Sequence, residues 1–309
     1  MSWNTEHAPF KIHGNSYYVG VDGLSSVLIT SSKGHILIDG GLPQSAELIA
    51  KNIKQLGFSI KDVKWLLNSH AHFDHVGGLA ALQRMSGAKL IASSDSAQAM
   101  KTGSALANDP QAGYGDVMNF PAISNINIIV NGEKIKLGDN VVTAIFTPGH
   151  SPGGTSWSWP SCEAGKCINI VFADSLNSVS DDVYKYSAHP DYLASFQKSI
   201  ETVRNLKCDI IIGAHPGFSD LFKKAETGTL IDAEGCKKYA DDAEARLNKR
   251  LAEEAAIKIP KDSADWSKIN LSYQDVLILA DMKGSTYAEL IRANPEGSCE
   301  FKFYQPSSG

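Results

Sequence analysis

The sequence predicts an α/β protein built as an αββα sandwich, in which two central sheets, mostly antiparallel or mixed, pack together with helices outside. Short β-rich runs open the chain. Strand-like runs and helical stretches then alternate through two successive blocks. A sheet has to bury an apolar face, so two blocks of this kind are expected to pack sheet against sheet, with their helices covering the outer faces.

The first block begins with four short β-rich runs between residues 10 and 38, separated by Gly, Asp and Ser turn signals. This pattern predicts an antiparallel meander. Apolar residues then recur at helical spacing from Gln44 to Leu56, and residues 63–69 (VKWLLNS) form a buried-strand pattern. A helix over Val76–Met85 and a strand over residues 88–92 follow. The strand at 63–69 therefore delivers the histidines that come directly after it.

The second block repeats this theme. Its predicted strands cover residues 126–130, 141–146, 154–159, 168–173 and 208–213. Helical patterns follow over Tyr192–Leu206 and Cys236–Ala256. We therefore expect one domain over residues 1–256 and an extension over residues 257–309 with a helical pattern at 275–293. Packing on the domain, association and disorder all stay open as roles for this extension.

Composition favours a globular protein that acts on a small molecule. The chain has 309 residues, 43% of them hydrophobic and 20% charged, which is enough apolar material for a sizeable core. Its net charge of −5 comes from 34 acidic and 29 basic residues without long runs, which predicts no nucleic-acid or anionic-membrane partner. Because the sequence shows no long apolar run and no signal-peptide pattern at residues 1–10, neither a membrane span nor a leader is expected.

Four metal-ligand residue types directly follow the strand at 63–69, where His70, His72, Asp74 and His75 form an HxHxDH cluster. Residues i and i+2 of extended backbone point the same way, so His70 and His72 can bind one ion together. Where the chain turns into the next helix, Asp74 and His75 are redirected toward a second position. Packing does not explain such a density of ligands, and imidazole with carboxylate suits zinc.

Two further ligands are expected at His150 (TPGHSPGG) and His215 (GAHPGF). Each follows a strand-like run and lies among Gly and Pro, in the kind of strand-end loop that carries functional residues in α/β enzymes. The Gly-, Asn-, Asp- and Pro-rich passage 102–121 predicts an active-site loop or lid, with a plain surface loop as the alternative. The remaining histidines lack such company and are interpreted as structural or surface residues: His7, His13, His35 and His189.

Cys162 and Cys167 flank a short loop between two predicted strands. A bridged hairpin loop is plausible there, and two free thiols in a reducing compartment are equally compatible with the spacing. The CxxxxC spacing and the absence of neighbouring histidines argue against a metal site at this pair.

Three segments, HAHFDH (70–75), TPGHSPGG (147–154) and GAHP (213–216), resemble the motifs of the metallo-β-lactamase superfamily in order and spacing. The resemblance covers roughly residues 10–256. FADSL at 172–176 makes the chain most similar to the subclass B3 metallo-β-lactamases, because Ser175 stands where some relatives carry a metal-binding Cys or Asp. The fold implied is the metallo-β-lactamase αββα sandwich.

The resemblance also implies the contents of the site. Two Zn²⁺ ions are expected, one on His70, His72 and His150 and the other on Asp74, His75 and His215. Asp74 would double as the catalytic residue that orients the nucleophile. Contacts to the substrate carboxylate are implied at Ser175, Asn177 and Gln111; Ser or Thr is more usual at the position of Asn177, which leaves its role and the substrate ranking open.

The implied reaction is hydrolysis of the β-lactam amide of penicillins, cephalosporins and carbapenems by a metal-bound hydroxide, and hence antibiotic resistance by a monomeric enzyme. SCEAGKC and the pair Cys208 with Cys236 also resemble subclass B3, which implies disulfides Cys162–Cys167 and Cys208–Cys236. Relatives of this subclass are periplasmic, so the sequence is expected to be a mature form with Met1 added. Cys299 is left over.

Two other interpretations stay open. The first is another hydrolase of the same superfamily, such as a thioesterase or a lactonase. Those relatives usually carry an Asp that bridges both metals, and Asp174 lies one residue from that position. The second is a binding module that keeps the fold without the reaction, against which the complete set of six ligands argues.

Overall fold

The computed structural model describes residues 2–256, 287–293 and 299–304, and its two main sheets have the predicted sandwich arrangement. The first sheet follows chain order: β1 (Phe10–His13), β2 (Ser16–Tyr18), β3 (Val27–Ile29), β4 (His35–Ile38), β5 (Val63–Leu67), β6 (Lys89–Ala92) and β7 (Ile126–Ile128). Strands β1 to β4 pair antiparallel, which confirms the meander. Strands β4 to β7 pair parallel, and helices provide the crossovers that parallel pairing requires.

The second sheet has the order β12-β11-β10-β9-β8. Its strands are β8 (Lys134–Leu137), β9 (Asn140–Phe146), β10 (Thr155–Glu163), β11 (Lys166–Ala173) and β12 (Ile210–Gly213). Only β11 and β12 pair parallel in this sheet, so β9, β11 and β12 all end at the same edge. Strand β8, in which lysines alternate with Ile135 and Leu137, was not predicted.

The helices cover the outer faces of both sheets. They are α1 (Ser45–Gln55), α2 (Phe73–Val76), α3 (Leu79–Ser86), α4 (Ser94–Thr102), α5 (Pro190–Arg204), α6 (Leu221–Glu226) and α7 (Gly235–Ala256). One apolar core lies between the sheets and contains Leu67, Trp157 and Phe172. Two further cores pack α1, α3 and α4 on the first sheet and α5 and α7 on the second. Because hydrophobic burial fixes both sheets, the strand ends that carry the site have little freedom.

Two helical predictions need correction. The single helix predicted over Val76–Met85 is two helices, since α2 ends at Val76 and α3 begins at Leu79. A Cβ on Gly78 would lie 2.2 Å from the carbonyl oxygen of Gly40, so the break allows a close backbone approach. The helix predicted over residues 275–293 is wrong at Tyr287–Ala293, which is strand β13.

The tail strand pairs with a neighbour that the sequence pattern did not reveal. Strand β13 pairs antiparallel with β14 (Cys299–Tyr304), whose backbone supplies the hydrogen bonds that a helix would have made internally. Short apolar runs do not distinguish the two states. Residues 275–286 of the predicted helix lie outside the described residues.

Both implied disulfides are present. Cys162 and Cys167 face each other across the β10–β11 hairpin, and Cys208, just before β12, is bonded to Cys236 in α7. Within the described ranges, no helix is both long and apolar enough to cross a membrane.

Candidate metal centre

The HxHxDH cluster lies where β5 ends, at the edge shared by both sheets. His70 and His72 lie in the extended segment after β5, whereas Asp74 and His75 belong to the single turn of α2. The loop after β9 brings in His150, and the loop after β12 brings in His215. The six residues predicted as ligands therefore converge from strand ends, as expected for a site in an α/β sandwich.

One potential metal site is formed by His70, His72 and His150, all buried, with one nitrogen of each ring within 4.8 Å of the others. Nδ1 of His72 lies 3.2 Å from Nε2 of His150. Nε2 of His70 is buried and has no hydrogen-bond partner among the described residues. A buried, unpaired ring nitrogen is costly unless something binds it, so this arrangement fits a metal ion.

A second group of ligand atoms adjoins the first. Nε2 of His75 lies 3.2 Å from Nε2 of His215, and Oδ2 of Asp74 lies 3.4 Å from each of these nitrogens. His70 also groups with Asp74 and His75 within 4.8 Å, so the two groups share a boundary. The structure thus brings together every residue that was predicted to bind metal.

In each of the five imidazole rings, one nitrogen faces the potential metal ligands (the inward nitrogen) and the other faces an oxygen atom (the outward nitrogen). Two face backbone carbonyls: His150 Nδ1 is 2.8 Å from the Asn177 oxygen, and His215 Nδ1 is 3.0 Å from that of Gly23. The other three face carboxylates: His70 Nδ1 with Asp174 Oδ1 at 2.7 Å, His72 Nε2 with Asp109 Oδ2 at 2.9 Å, and His75 Nδ1 with Asp39 Oδ2 at 3.3 Å.

These contacts fix the tautomers. A carbonyl or carboxylate oxygen only accepts hydrogen bonds, so the outward nitrogen carries the proton and the inward nitrogen of a neutral ring carries a lone pair. The lone pairs of His72 Nδ1 and His150 Nε2 then face each other at 3.2 Å. That geometry is repulsive without a cation, and outward nitrogens held by oxygens are the usual arrangement of metal-binding histidines.

The electrostatics agree with this interpretation. Burial, reinforced by nearby His72, lowers the pKa of His150 to about 3, so its ring is neutral and able to bind metal. Burial also lowers the pKa of His75, but the carboxylates of Asp74 and Asp39 outweigh it and raise that pKa to about 10. Burial would raise the pKa of Asp74, yet His75 and His215 hold it well below its usual range. The site favours bound positive charge beside an ionised Asp74.

The residues expected to contact substrate are placed unequally. The side-chain nitrogen of Gln111 lies 3.4 Å from His72 Nδ1 and 3.3 Å from His150 Nε2, directly at the histidine group. Ser175 is only 1% exposed, and its hydroxyl has no hydrogen-bond partner within the described part of the chain. Asn177 holds His150 through its backbone carbonyl rather than its side chain.

Sequence reasoning missed the residues behind the histidines. Asp39 directly follows β4, in the LIDGG run, and accepts hydrogen bonds from the backbone and hydroxyl of Ser69, at 2.7 and 2.5 Å. Asp109 lies in the loop predicted to border the site. Asp39 could have been found as an acidic residue directly after an apolar strand, whereas no sequence pattern indicates the contact of the Gly23 carbonyl.

The potential metal groups within the described ranges do not include His7, His13, His35 or His189.

Residues 19–215 match the family model described as the metallo-beta-lactamase superfamily. Among solved structures, MEM-A1, a subclass B3 metallo-beta-lactamase isolated from a soil metagenome library, is 48% identical and has a TM-score of 0.79, covering 83% of this chain and 100% of that one. The Rm3 metallo-beta-lactamase is 45% identical with a TM-score of 0.80, covering 82% of this chain and 97% of that one.

Curated relatives name other substrates at lower identity. The N-acyl homoserine lactonase AttM of Azorhizobium caulinodans is 27% identical over 232 residues, 64% of this chain and 84% of the relative. A hydroxyacylglutathione hydrolase of Maricaulis maris is 31% identical over 115 residues, 37% of this chain and 35% of the relative.

Proposed function

Because the chain belongs to the metallo-β-lactamase superfamily, we propose that it is a zinc-dependent hydrolase that opens the β-lactam amide of penicillins, cephalosporins and carbapenems. Neighbours at 48% and 45% identity that are named as β-lactamases support this substrate over the lactones named for relatives at 27%. We further propose two zinc ions, one held by His70, His72 and His150 and the other by Asp74, His75 and His215.

The position of Asp174 carries the choice between β-lactams and the rival substrates. Lactonase- and thioesterase-type relatives use a bridging Asp near this position, and such a carboxylate would have to lie among the ligand atoms. Here Asp174 is fully buried, and its Oδ1 contacts the outward nitrogen of His70. The potential metal groups within the described residues do not contain it. This placement supports the lactamase assignment.

Bound zinc would supply an acidified water molecule and a Lewis acid for the amide carbonyl. The chain's own residues do the rest. Asp74 stays ionised, so it can accept a hydrogen bond from the attacking water and orient it toward the carbonyl carbon. The amide group of Gln111, at the histidine group, can bind the substrate carboxylate. The buried surroundings of the histidines exclude bulk water, which strengthens these electrostatic contacts.

We also propose an oxidising compartment such as the bacterial periplasm. Two disulfides in a chain with five cysteines support it, because reducing compartments keep thiols free. Resistance would follow from hydrolysis there, and a monomer suffices for it because the predicted ligands all come from one chain.

The test compares substrate classes on one zinc-loaded preparation. A carbapenem, a cephalosporin, an N-acyl homoserine lactone and an acylglutathione thioester are assayed side by side, with Asp74→Asn as the matched inactive variant. We expect kcat/KM for the β-lactams to exceed that for the lactone and thioester by at least about 100-fold, a difference of about 2.7 kcal/mol in transition-state binding. Higher kcat/KM for the lactone or thioester would overturn the proposal.

A further inference from the structure

Asp181 joins two loops that come from different halves of the chain. Its Oδ2 accepts the backbone N–H of Gly113 at 2.8 Å, and its own N–H donates to the Pro110 carbonyl at 2.9 Å. Its Oδ1 accepts the N–H groups of Val183 and Tyr184, each at 2.8 Å. One carboxylate therefore holds the turn of its own loop and fastens the loop at residues 109–113 to it.

The contact at Gly113 leaves no room for a side chain. A Cβ at this position would lie 2.3 Å from Oδ2 of Asp181. Tyr114 adds a second bond between the loops, since its hydroxyl donates to the Ser180 carbonyl at 2.6 Å. Close approach and paired hydrogen bonds make this a specific junction rather than a loose loop contact.

The Asp181 loop is in turn anchored to α7. Arg250 donates from Nη2 to the Ser180 hydroxyl at 2.8 Å and to the Tyr184 carbonyl at 3.0 Å. Its Nε donates to Glu254, one helical turn further along. Because α7 is packed on the second sheet, this junction anchors the 109–113 loop to the core of the fold.

The 109–113 loop carries two side chains that reach the histidines. Asp109 holds Nε2 of His72 with one carboxylate oxygen and accepts the N–H of Gln111 with the other, at 2.9 Å in both cases. Gln111 places its amide against His72 and His150. A shift of this loop would move both the Asp109 carboxylate that orients His72 and the Gln111 amide beside the histidines.

We propose that Asp181 is a positioning residue, which sets Asp109 and Gln111 against His72 by fastening their loop to the α7-anchored loop. The expected change in KM for a cephalosporin rests on the proposed function, whereas the expected changes in amide exchange and zinc affinity do not. The hydrogen bonds of Asp181 within the described part of the chain go to the two loops and not to the histidines. It acts on metal affinity through Asp109 and on substrate binding through Gln111. Removing a group behind a metal ligand typically weakens metal binding about 10- to 100-fold.

The experiment uses the full chain with Asp181→Asn, which replaces a carboxylate oxygen by an NH₂ that cannot accept a hydrogen bond. Gly113→Ala, whose Cβ would displace the Asp181 carboxylate from the other side of the contact, is the second variant. Asp209→Asn is the matched control, because Asp209 also accepts a backbone N–H, that of Asn169 at 2.7 Å, but lies at the opposite end of β12. Three quantities are measured: Gly113 amide exchange, zinc affinity by chelator competition, and KM and kcat for a cephalosporin.

We expect Gly113 exchange in Asp181→Asn to rise about fivefold or more, and zinc affinity to fall about tenfold. KM should rise about tenfold while kcat changes less than about threefold, and Asp209→Asn should leave zinc affinity and KM unchanged. Faster exchange with unchanged zinc affinity and KM would overturn the proposal, since Asp181 would then be merely structural. If Asp181→Asn does not fold, the same three measurements on Gly113→Ala test the proposal. If cephalosporins are not hydrolysed, amide exchange and zinc affinity still test it.

Discussion

Asp174 Oδ1 lies 2.7 Å from Nδ1 of His70, so this buried carboxylate stands behind the imidazole rather than among the atoms available to metal. Asp174→Asn keeps a side-chain oxygen but replaces the carboxyl group behind the ring by an amide. We expect zinc affinity to fall about tenfold with full metal stoichiometry retained at saturation. Competition with a chromophoric chelator measures this. Loss of one equivalent of metal at saturation would identify Asp174 as a ligand instead.

Removing a predicted ligand should have a much larger effect. His70→Ala and Asp74→Ala are each expected to lower the rate of β-lactam hydrolysis by at least about 10³-fold, since several kcal/mol of transition-state stabilisation depend on the metals. The near-ultraviolet circular dichroism should stay native. His189→Ala is the control, because this exposed histidine stacks on Tyr184 outside the centre. Full activity in either ligand variant would refute the assignment of that residue.

The sequence was informative wherever one local pattern determined the outcome. His70 to His75 could be found because six adjacent residues carry the ligands, and the meander because β-rich runs alternate with turn residues. His150 and His215 were recognisable from their Gly- and Pro-rich strand-end loops. Each predicted ligand could therefore be recognised from its local sequence, and the two sheets bring these ligands together.

The parts that escaped prediction depend on tertiary contacts. Asp109 reaches His72 across 37 positions of chain, and the Gly23 carbonyl reaches His215 across 192. No periodicity encodes such pairings. Strand β13 similarly exists through its pairing with β14, where the local pattern suggested a helix. The backbone carbonyl of Asn177 also holds His150, a contact that the sequence does not reveal, and the predicted contact of its side chain with substrate stays a prediction.

The two disulfides should contribute unequally to stability. Cys208–Cys236 spans 28 positions and ties β12 to α7, whereas Cys162–Cys167 spans 5 within one hairpin. In the chain-entropy description, removing the longer link by paired Cys→Ser substitution should lower the free energy of unfolding by about 3.5 kcal/mol, and removing the shorter one by about 1.5 kcal/mol less. Denaturant titrations of both double variants measure the difference, and the opposite order would contradict this account.

Glu254 should make stability depend on pH in the acid range. Burial raises its pKa, but bonds to Arg250 and Ser187 outweigh this and hold the pKa below the ordinary 4.5. The ionised form therefore stabilises the fold above pH 4.5, and this contribution is lost as the pH falls through the lower folded-state pKa. Glu254→Gln should lower the free energy of unfolding by about 1–2 kcal/mol near pH 7.

Glu254→Gln also tests the direction in which stability changes with pH. Denaturant titrations from about pH 7 to pH 3 should show the gap between wild type and Glu254→Gln narrowing toward the acid end. A gap that widens on acidification would mean that the folded state does not favour the ionised carboxylate. Glu253→Gln, on the exposed side of α7, is the control and should change little at any pH.

We propose that hydrolysis of the β-lactam ring depends on metal ions held by these histidines. The most direct test is the loss of β-lactam ring absorbance when purified protein is mixed with a carbapenem and, separately, with a cephalosporin, with and without a chelator. We expect rapid loss of absorbance that stops when metal is removed and returns when zinc is added back. Unchanged absorbance with a fully zinc-loaded sample would contradict it, and so would hydrolysis that persists in protein shown to be free of metal.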